Sequence, residues 1–445
     1  MLVARLPSPN WPQTGARLKT TVPLSWIFPL TVFGIGAASI RYFDLIFTAA
    51  TRWLLLAGLA LFLLSRAKLF LSLRVNLAPV VTVWIGWVAL TVLWSDVPAL
   101  SFLKAIALAV TVLSLVSGGV YWAQYAKPAN PLTYLAPLTA LALFAGLFGL
   151  GTFRHISQGV PLFEGLSENV NAFAIILAVG LAFPLYAAYR ASRTAAWGQL
   201  GVWLCVTITL LIFLVMTRSR ASIAAGGCVL LSFAVAAVPR RILLAGAACA
   251  VVAFSVIALT PALSTRVVGQ ASHFLDKGHD NDPFFTRRDV WRISYEHAVA
   301  GGVIGLGLGV SDDTHGEVDA GGSATGYGRE KGSSQLAIVE ETGLIGLAIY
   351  VYLLWRLFSV LISRTIAVAN RDAQVAATLT IGVLAGLVVQ SLFEAWWTSP
   401  GSFGSMVFWS TAGVAIGILR HWRPVVEQPL ARAPSRADMT LATSR

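Results

Sequence analysis

Arg154, Arg218, Arg220, Arg287, Arg288 and Arg292 lie in three separated segments, each beside the end of an apolar run or in the one long polar stretch. A guanidinium presents a planar fork of donors, stays charged at any relevant pH and binds phosphate through paired hydrogen bonds. Brought together at a membrane–water boundary, Arg220, Arg288, Arg154, Arg292 and Arg218 would form a site for a lipid-linked phosphate or diphosphate. Taken singly, each is as well explained by a side chain reaching toward lipid headgroups. Convergence of the three segments is what would distinguish a site.

Group transfer also needs a base. His315 is the histidine best placed for that work, because imidazole titrates near neutral pH; His273, His279 and His297 share its segment. Glu340 and Glu341 open an apolar run in IVEETGLIG. Stabilisation by a helix N-terminus explains carboxylates there, and one at that depth can also orient a sugar hydroxyl. Asp280 and Asp282 in HDND have the spacing used by metal-dependent sugar transferases, but nucleotide sugars are cytoplasmic and this loop is read as outside, so a solvated turn is the favoured reading. Asp312 and Asp313, after GLGLG, read as a polar turn or as groups helping to activate a hydroxyl. Trp396 and Trp397 in EAWWTSPG read as an aromatic belt at the membrane boundary, with a sugar-stacking platform as the alternative.

The elements that must hold these residues are membrane helices. The chain is 57% hydrophobic and 12% charged over 445 residues, and runs of roughly 20 apolar residues, the length that crosses a bilayer as a helix, recur along it. The reading is an all-α polytopic integral membrane protein with about twelve transmembrane helices. Spans are expected near 23–40, 45–64, 77–94, 100–121, 132–151, 168–189, 197–217, 220–238, 242–260, 336–359, 375–393 and 402–419. Arg52 falls inside the second, which could shift to 53–71. Nine spans fill 1–260, a large periplasmic loop fills 261–335, three spans fill 336–421, and 422–445 is a disordered cytoplasmic tail. Within the loop, FFTRRDVWRISYEHAVAGG reads as an amphipathic helix near 286–300, opened by Thr286. Arg288 and Arg292 share one face of it and repel, which Glu296 partly relieves.

With both termini cytoplasmic, Arg66, Lys68, Arg190, Arg193, Arg240, Arg241, Arg356, Arg364 and the tail arginines lie inside, and the outer segments near 95–99 and 394–401 hold no Lys or Arg. This is a positive-inside pattern, and it makes Arg154, Arg218 and Arg220 exceptions. The net charge of +12 is then topology signal and attraction to anionic lipid, with no nucleic-acid partner implied. Cys205, Cys228 and Cys249 fall inside apolar spans as small packing residues without a disulfide or metal pattern.

Several segments, in order, resemble the bacterial O-antigen ligase and O-antigen polymerase family: ENVNAFAIILAVGLAFPL; TRSRASIAAG, with Arg220 in the family arginine's place; RRDVWRISYEHAVAGGVIGLGLG, through Arg288 and Trp291 and then Gly305, Gly307 and Gly309; and SSQLAIVEETGLIGL, with Glu341, Gly343 and Gly346 in register. Arg154, ten residues before Gly165, echoes a polymerase spacing. The strong part covers about 168–350. The resemblance implies a GT-C-like membrane glycosyltransferase of the bacterial inner membrane, active at its periplasmic face without metal or cofactor. It implies an undecaprenyl-diphosphate-linked oligosaccharide as donor and a lipid-linked glycan or lipid A-core as acceptor, with a chain-length regulator as a candidate partner. Ligases of the family carry a histidine base at the position of Gly332, where this chain reads EKGSSQL. That gap favours a polymerase of O-antigen or exopolysaccharide repeat units over a ligase, and leaves His315 or Glu341 to serve as base. A transporter or flippase of lipid-linked glycans is the alternative from another class.

Overall fold

The computed structural model describes residues 24–74, 77–127, 129–155, 161–167, 169–260, 265, 269, 285–310 and 331–422. Its helices are α1 (Ile27–Ala37), α2 (Ala49–Ser65), α3 (Ala78–Leu90), α4 (Pro98–Tyr121), α5 (Ala136–Phe148), α6 (Val170–Gly180), α7 (Ala182–Arg193), α8 (Trp197–Met216), α9 (Arg220–Ala237), α10 (Arg240–Leu259), α11 (Phe285–Gly301), α12 (Ser334–Ala367), α13 (Arg371–Ser391) and α14 (Phe403–His421). Among the described residues, eight helical segments are long and apolar enough to cross a membrane; Ile27–Ala37, Ala50–Ser65 and Ala78–Trp94 are apolar but shorter. One antiparallel hairpin, β1 (Phe153–His155) with β2 (Pro161–Phe163), joins α5 to α6 and was not expected from the sequence. Three-residue strands are too short to show a period-two pattern.

Helix α14 lies at the centre, buried along nearly its whole length. It packs on α4 backbone to backbone: a Cβ on Gly119 would lie 2.6 Å from the Ser410 carbonyl oxygen. Such small-residue contacts are how helices approach closely without a hydrophobic drive in lipid. Helices α6 and α7 are one rod interrupted at Leu181. Pro184 has no N–H to offer the carbonyl of Gly180, four residues back, and that carbonyl instead accepts a hydrogen bond from the Thr139 hydroxyl of α5 at 2.9 Å. Helix α2 keeps Arg52 in its first turn, where Nη1 donates to the Gly401 carbonyl at 3.1 Å. The cation therefore marks a helix end.

Helix α12 contains a break. Gly343 has φ +72° and ψ −177°, a conformation essentially confined to glycine. In a continuous helix Leu344 and Ile345 would donate to the carbonyls of Glu340 and Glu341. Here Leu344 N–H donates to Gly302 O at 3.1 Å and Ile345 N–H to Val303 O at 3.2 Å. The freed carbonyls accept from Leu306 N–H at 2.9 Å and Gly307 N–H at 3.1 Å. Two helical bonds are thus exchanged for four between α12 and the glycine-rich segment after α11. That segment and the break in α12 are held from the other side by α3, α4 and the turn between them. Trp87 Nε1 donates to Thr342 O at 2.9 Å, Trp94 Nε1 to Gly305 O at 3.0 Å, and Ser101 Oγ to Leu308 O at 3.0 Å, while Leu308 N–H donates to Thr91 Oγ1 at 3.1 Å.

Candidate functional site

The turn from α8 to α9 explains how two arginines come to lie there. Arg218 takes a left-handed conformation, φ +51°, directly after the cap of α8. This reverses the chain and lets Ser219 precede α9, whose first residue is Arg220. Ser219 is a residue type that ordinarily caps a helix with its own hydroxyl, yet it makes no such cap. Its Oγ reaches instead to Asn171 Oδ1 at 3.0 Å, in the first turn of α6. The leading amides of α9, a helix end that attracts anions, therefore stand beside Arg220 without a side-chain cap. Helix α6 by contrast is capped by Asn169, which accepts from the N–H groups of Asn171 and Ala172.

Asn171 extends the chain of contacts. Its Nδ2 donates to Glu394 Oε1 at 2.8 Å, and the Glu394 carbonyl accepts from Ser334 Oγ, at the start of α12, at 2.8 Å. The neighbouring Phe393 ring lies 5.6 Å from the Trp291 ring of α11. Trp291 Nε1 donates to Gly332 O at 3.0 Å. Ser219, Asn171, Glu394, Phe393 and Trp291 thus join the element that carries Arg220 to the one that carries Arg288. On α11, Arg288 and Arg292 both lie on the exposed face. Arg292 pairs with Glu296 at 3.4 Å, with both side chains more than half exposed; such pairs are worth little in stability. His297 faces inward and is buried.

A second cluster lies where Glu341 meets the glycine segment. Glu340 and Glu341 are fully buried at 0% and 1% exposure. Glu341 Oε1 accepts from Lys331 Nζ at 2.6 Å and from Thr398 Oγ1 at 3.1 Å, and its Oε2 accepts from Gly309 N–H at 2.7 Å. Lys331 Nζ also lies 3.3 Å from Glu340 Oε2 and donates to Val310 O at 3.2 Å. The Lys104 side chain of α4 abuts Gly309 and interacts electrostatically with both Glu341 and Lys331. Both oxygens of Glu341 are committed to holding Gly309, Lys331 and Thr398 together, which suits a positioning role better than proton transfer.

Among the residues expected from sequence, Arg218, Arg220 and Arg288 stand on elements joined by these contacts, and Arg292 is one turn further along α11. Arg154 sits in β1 opposite Leu162, in the hairpin that leads into α6. Arg287 lies in the first turn of α11. His315, with Asp280, Asp282, Asp312 and Asp313, lies outside the described residues. Trp396 and Trp397 are neither belt nor platform: both are buried, 5% and 1% exposed, and pack against Tyr350, Phe408 and Trp409. Cys205 and Cys249 are exposed on their helices rather than packed inside.

Asn171, Ser219, Glu394, Lys331, Lys104 and Thr398 are polar contacts the sequence reading passed over. Their common signal was available: each is a polar residue within two turns of the end of an apolar run, on the same side as the arginines. The Gly332 site has a steric reason for lacking a side chain. A Cβ there would lie 2.6 Å from Val290 Cγ1 and 3.0 Å from Trp291 Cδ1. Among the described residues, no three His, Cys, Asp or Glu side chains are grouped to hold a metal ion. Neither a protein-family model nor a curated protein matches the chain.

Proposed function

We propose that the protein is a membrane glycosyltransferase that transfers a glycan from an undecaprenyl-diphosphate carrier to an acceptor sugar hydroxyl at the periplasmic face. The favoured form of that reading is a polymerase of O-antigen or exopolysaccharide repeat units; an O-antigen ligase is the alternative within the same chemistry. One observation carries it: Arg220 at the uncapped start of α9 and the Arg288 element α11 are tied to each other through Asn171, Glu394 and Trp291. A diphosphate leaving group gains charge as the glycosidic bond breaks. Preorganised cations and helix-end amides stabilise such charge where water is excluded. The proposal includes twelve crossings, with the three shorter apolar helices and α10 added to the eight long ones, and both termini cytoplasmic.

One feature favours a transporter: α12 is interrupted, and broken helices line many transport sites. In such sites the freed backbone groups face the cargo. Here the four groups freed at Gly343 are taken by residues 302–307, so the break is better read as a docking device.

Replacing Arg220 or Arg288 by alanine is expected to abolish glycan transfer while membrane insertion is retained. Lysine at either position rescues poorly, because a point charge does not reproduce a bidentate fork. Full activity in both alanine variants would overturn the diphosphate site. Deleting the gene separates the two enzymatic forms. Single repeats left on lipid A-core indicate a polymerase, and intact polymer stranded on its carrier indicates a ligase.

A further inference from the structure

We propose that the far end of α4 carries a binding surface for an anionic phospholipid, made of Arg66, Lys68 and Lys127 over a floor of aromatic rings. This goes beyond the transferase reading and does not depend on it. Near its start α4 is tied to the glycine segment, through Ser101 and Leu308. The helix has 24 residues, and at about 1.5 Å per residue that is a length of about 36 Å. A hydrocarbon core is about 30 Å thick, so the other end of α4 lies at headgroup depth on the opposite face. The positive-inside pattern reads that face as cytoplasmic.

The ends of three helices meet there. The Phe62 ring of α2 lies 5.5 Å from the Tyr121 ring of α4, and Tyr121 lies 5.5 Å from Tyr125. Trp26, directly before α1, meets Trp122 edge-on at 5.7 Å. Each cation sits over one of these rings. Lys68 Nζ is 4.9 Å from the Tyr125 centroid, Arg66 Cζ is 5.9 Å from that of Phe62, and Lys127 Nζ is 6.0 Å from that of Trp26. Such contacts are attractive and engage one side of each cation. Arg66 is exposed and the two lysines half-buried, so all three stay within reach of a ligand. The backbone is shaped to assemble them. Ala67 is left-handed, φ +52°; its N–H donates to Leu64 O at 2.9 Å, and Lys68 N–H donates to Leu63 O at 2.8 Å. Glycine usually fills that seat in this helix closure, and alanine there carries strain. The turn directs Lys68 toward the end of α4. A wide turn, in which Lys127 N–H donates to Trp122 O five residues back at 2.8 Å, sets the third cation beside the rings.

Charge and depth together choose the occupant. Residues 61–76 and 117–131 contain no Asp or Glu, so these segments set no carboxylate among the cations. Leu61, Leu64 and Phe70, on the same stretch as Arg66 and Lys68, are exposed, and in a bilayer they meet lipid tails. An anionic phospholipid matches both features, with its phosphodiester among the cations and a chain along Leu61 and Leu64. A zwitterionic lipid would bring its own cation into the cluster. A soluble anion would make no use of the apolar residues beside it.

The test places the full-length protein in phosphatidylcholine nanodiscs with a minor fraction of phosphatidylglycerol and counts the phosphatidylglycerol retained on the protein by native mass spectrometry. Arg66→Gln, Lys68→Gln and Lys127→Gln are each expected to lower the preference for phosphatidylglycerol about fivefold, which corresponds to about 1 kcal/mol per basic residue. The triple variant should lose about 100-fold on the same basis, and Lys68→Arg should keep the preference. Since none of the three is fully buried, the thermal midpoint in pure phosphatidylcholine should not change; if the triple variant does not fold, the single variants decide. A control variant with Arg240→Gln, Arg241→Gln and Arg364→Gln removes the same charge from the same face and should retain the preference. Equal losses in the two triple variants would show attraction to bulk surface charge alone and overturn the site, as would a wild-type preference in the Arg66, Lys68 and Lys127 variant. Glycerophosphoglycerol, the head group without tails, should not displace the lipid; if it competes as well as phosphatidylglycerol does, the surface binds a soluble anion and the lipid assignment falls.

Discussion

Lys331 is held by two buried carboxylates, and removing it would take that cation from both. Breaking a buried pair by deleting one partner costs about 3–5 kcal/mol, because a charge is stranded away from water. Lys331→Met is therefore expected to lower the thermal midpoint sharply, and adding Glu340→Gln should recover part of the loss; an unchanged midpoint would show that the cluster contributes nothing. Gly332 gives the opposite kind of prediction. Installing histidine there, where the family ligases carry it, should damage the protein rather than restore a base, since its Cβ collides with Val290 and disturbs the Trp291 contact. The measurement is turnover together with folded yield, and a gain in activity would contradict the geometry. Resemblance set Arg220, Arg288 and Glu341 in one order, but only the fold separates their surroundings. Glu341 and Glu394 are both glutamates at the end of an apolar run. Nothing in either run tells that one is bound by Lys331 and Gly309 while the other accepts from Asn171.

At the level of elements, the interruption between α6 and α7 depends on two residues far apart in sequence. Thr139→Val removes the hydroxyl that satisfies Gly180 O, and leaving a buried acceptor unpaired costs about 1–3 kcal/mol. Pro184→Ala restores an N–H that can serve the same carbonyl. The pair should therefore be non-additive, with Thr139→Val nearly neutral in the Pro184→Ala background; additive losses in a thermal-shift cycle would refute the account. Gly343 is the other sensitive position. A Cβ there meets the Val303 carbonyl, and the backbone conformation is one that side chains do not adopt. Gly343→Ala should straighten α12, expel residues 302–307 and abolish activity, with limited proteolysis reporting the released segment. The sequence marked the helices well because hydrophobic runs set them. It marked neither break: Gly343 is one glycine among 39, and its conformation is decided by a partner segment some forty residues away in the chain.

For the whole molecule, eight long apolar helices among the described residues lie where the apolar runs predicted spans, since the bilayer demands long apolar segments and the sequence supplies them. What the runs do not encode is which ends meet. Asn171, Ser219, Ser334 and Glu394 come from four segments separated by 48 to 115 residues, and only packing of α13 along α9 and of α14 along α4 brings them to one end. The proposed sidedness, read from the distribution of cations, is open to a direct check. In a variant lacking Cys205, Cys228 and Cys249, a cysteine at Ser399 should react with a membrane-impermeant thiol reagent applied from the periplasm. A cysteine at Thr194 should react only when the cytoplasmic face is opened. The reverse pattern would place the arginines inside and remove the carrier-linked glycan from reach.

The exchange of backbone partners at Gly343 has a consequence for biogenesis. A continuous α12 satisfies its own amides and carbonyls, so the newly made span can enter lipid before anything else is in place; an open break would expose four polar groups to hydrocarbon, at several kcal/mol each. On that physical ground the break would form after insertion, once the segment behind α11 takes over the four groups it pairs with in the folded protein. Maturation of this protein would accordingly end with a late, water-side step, in which one straight membrane helix is bent by the arrival of its own upstream loop.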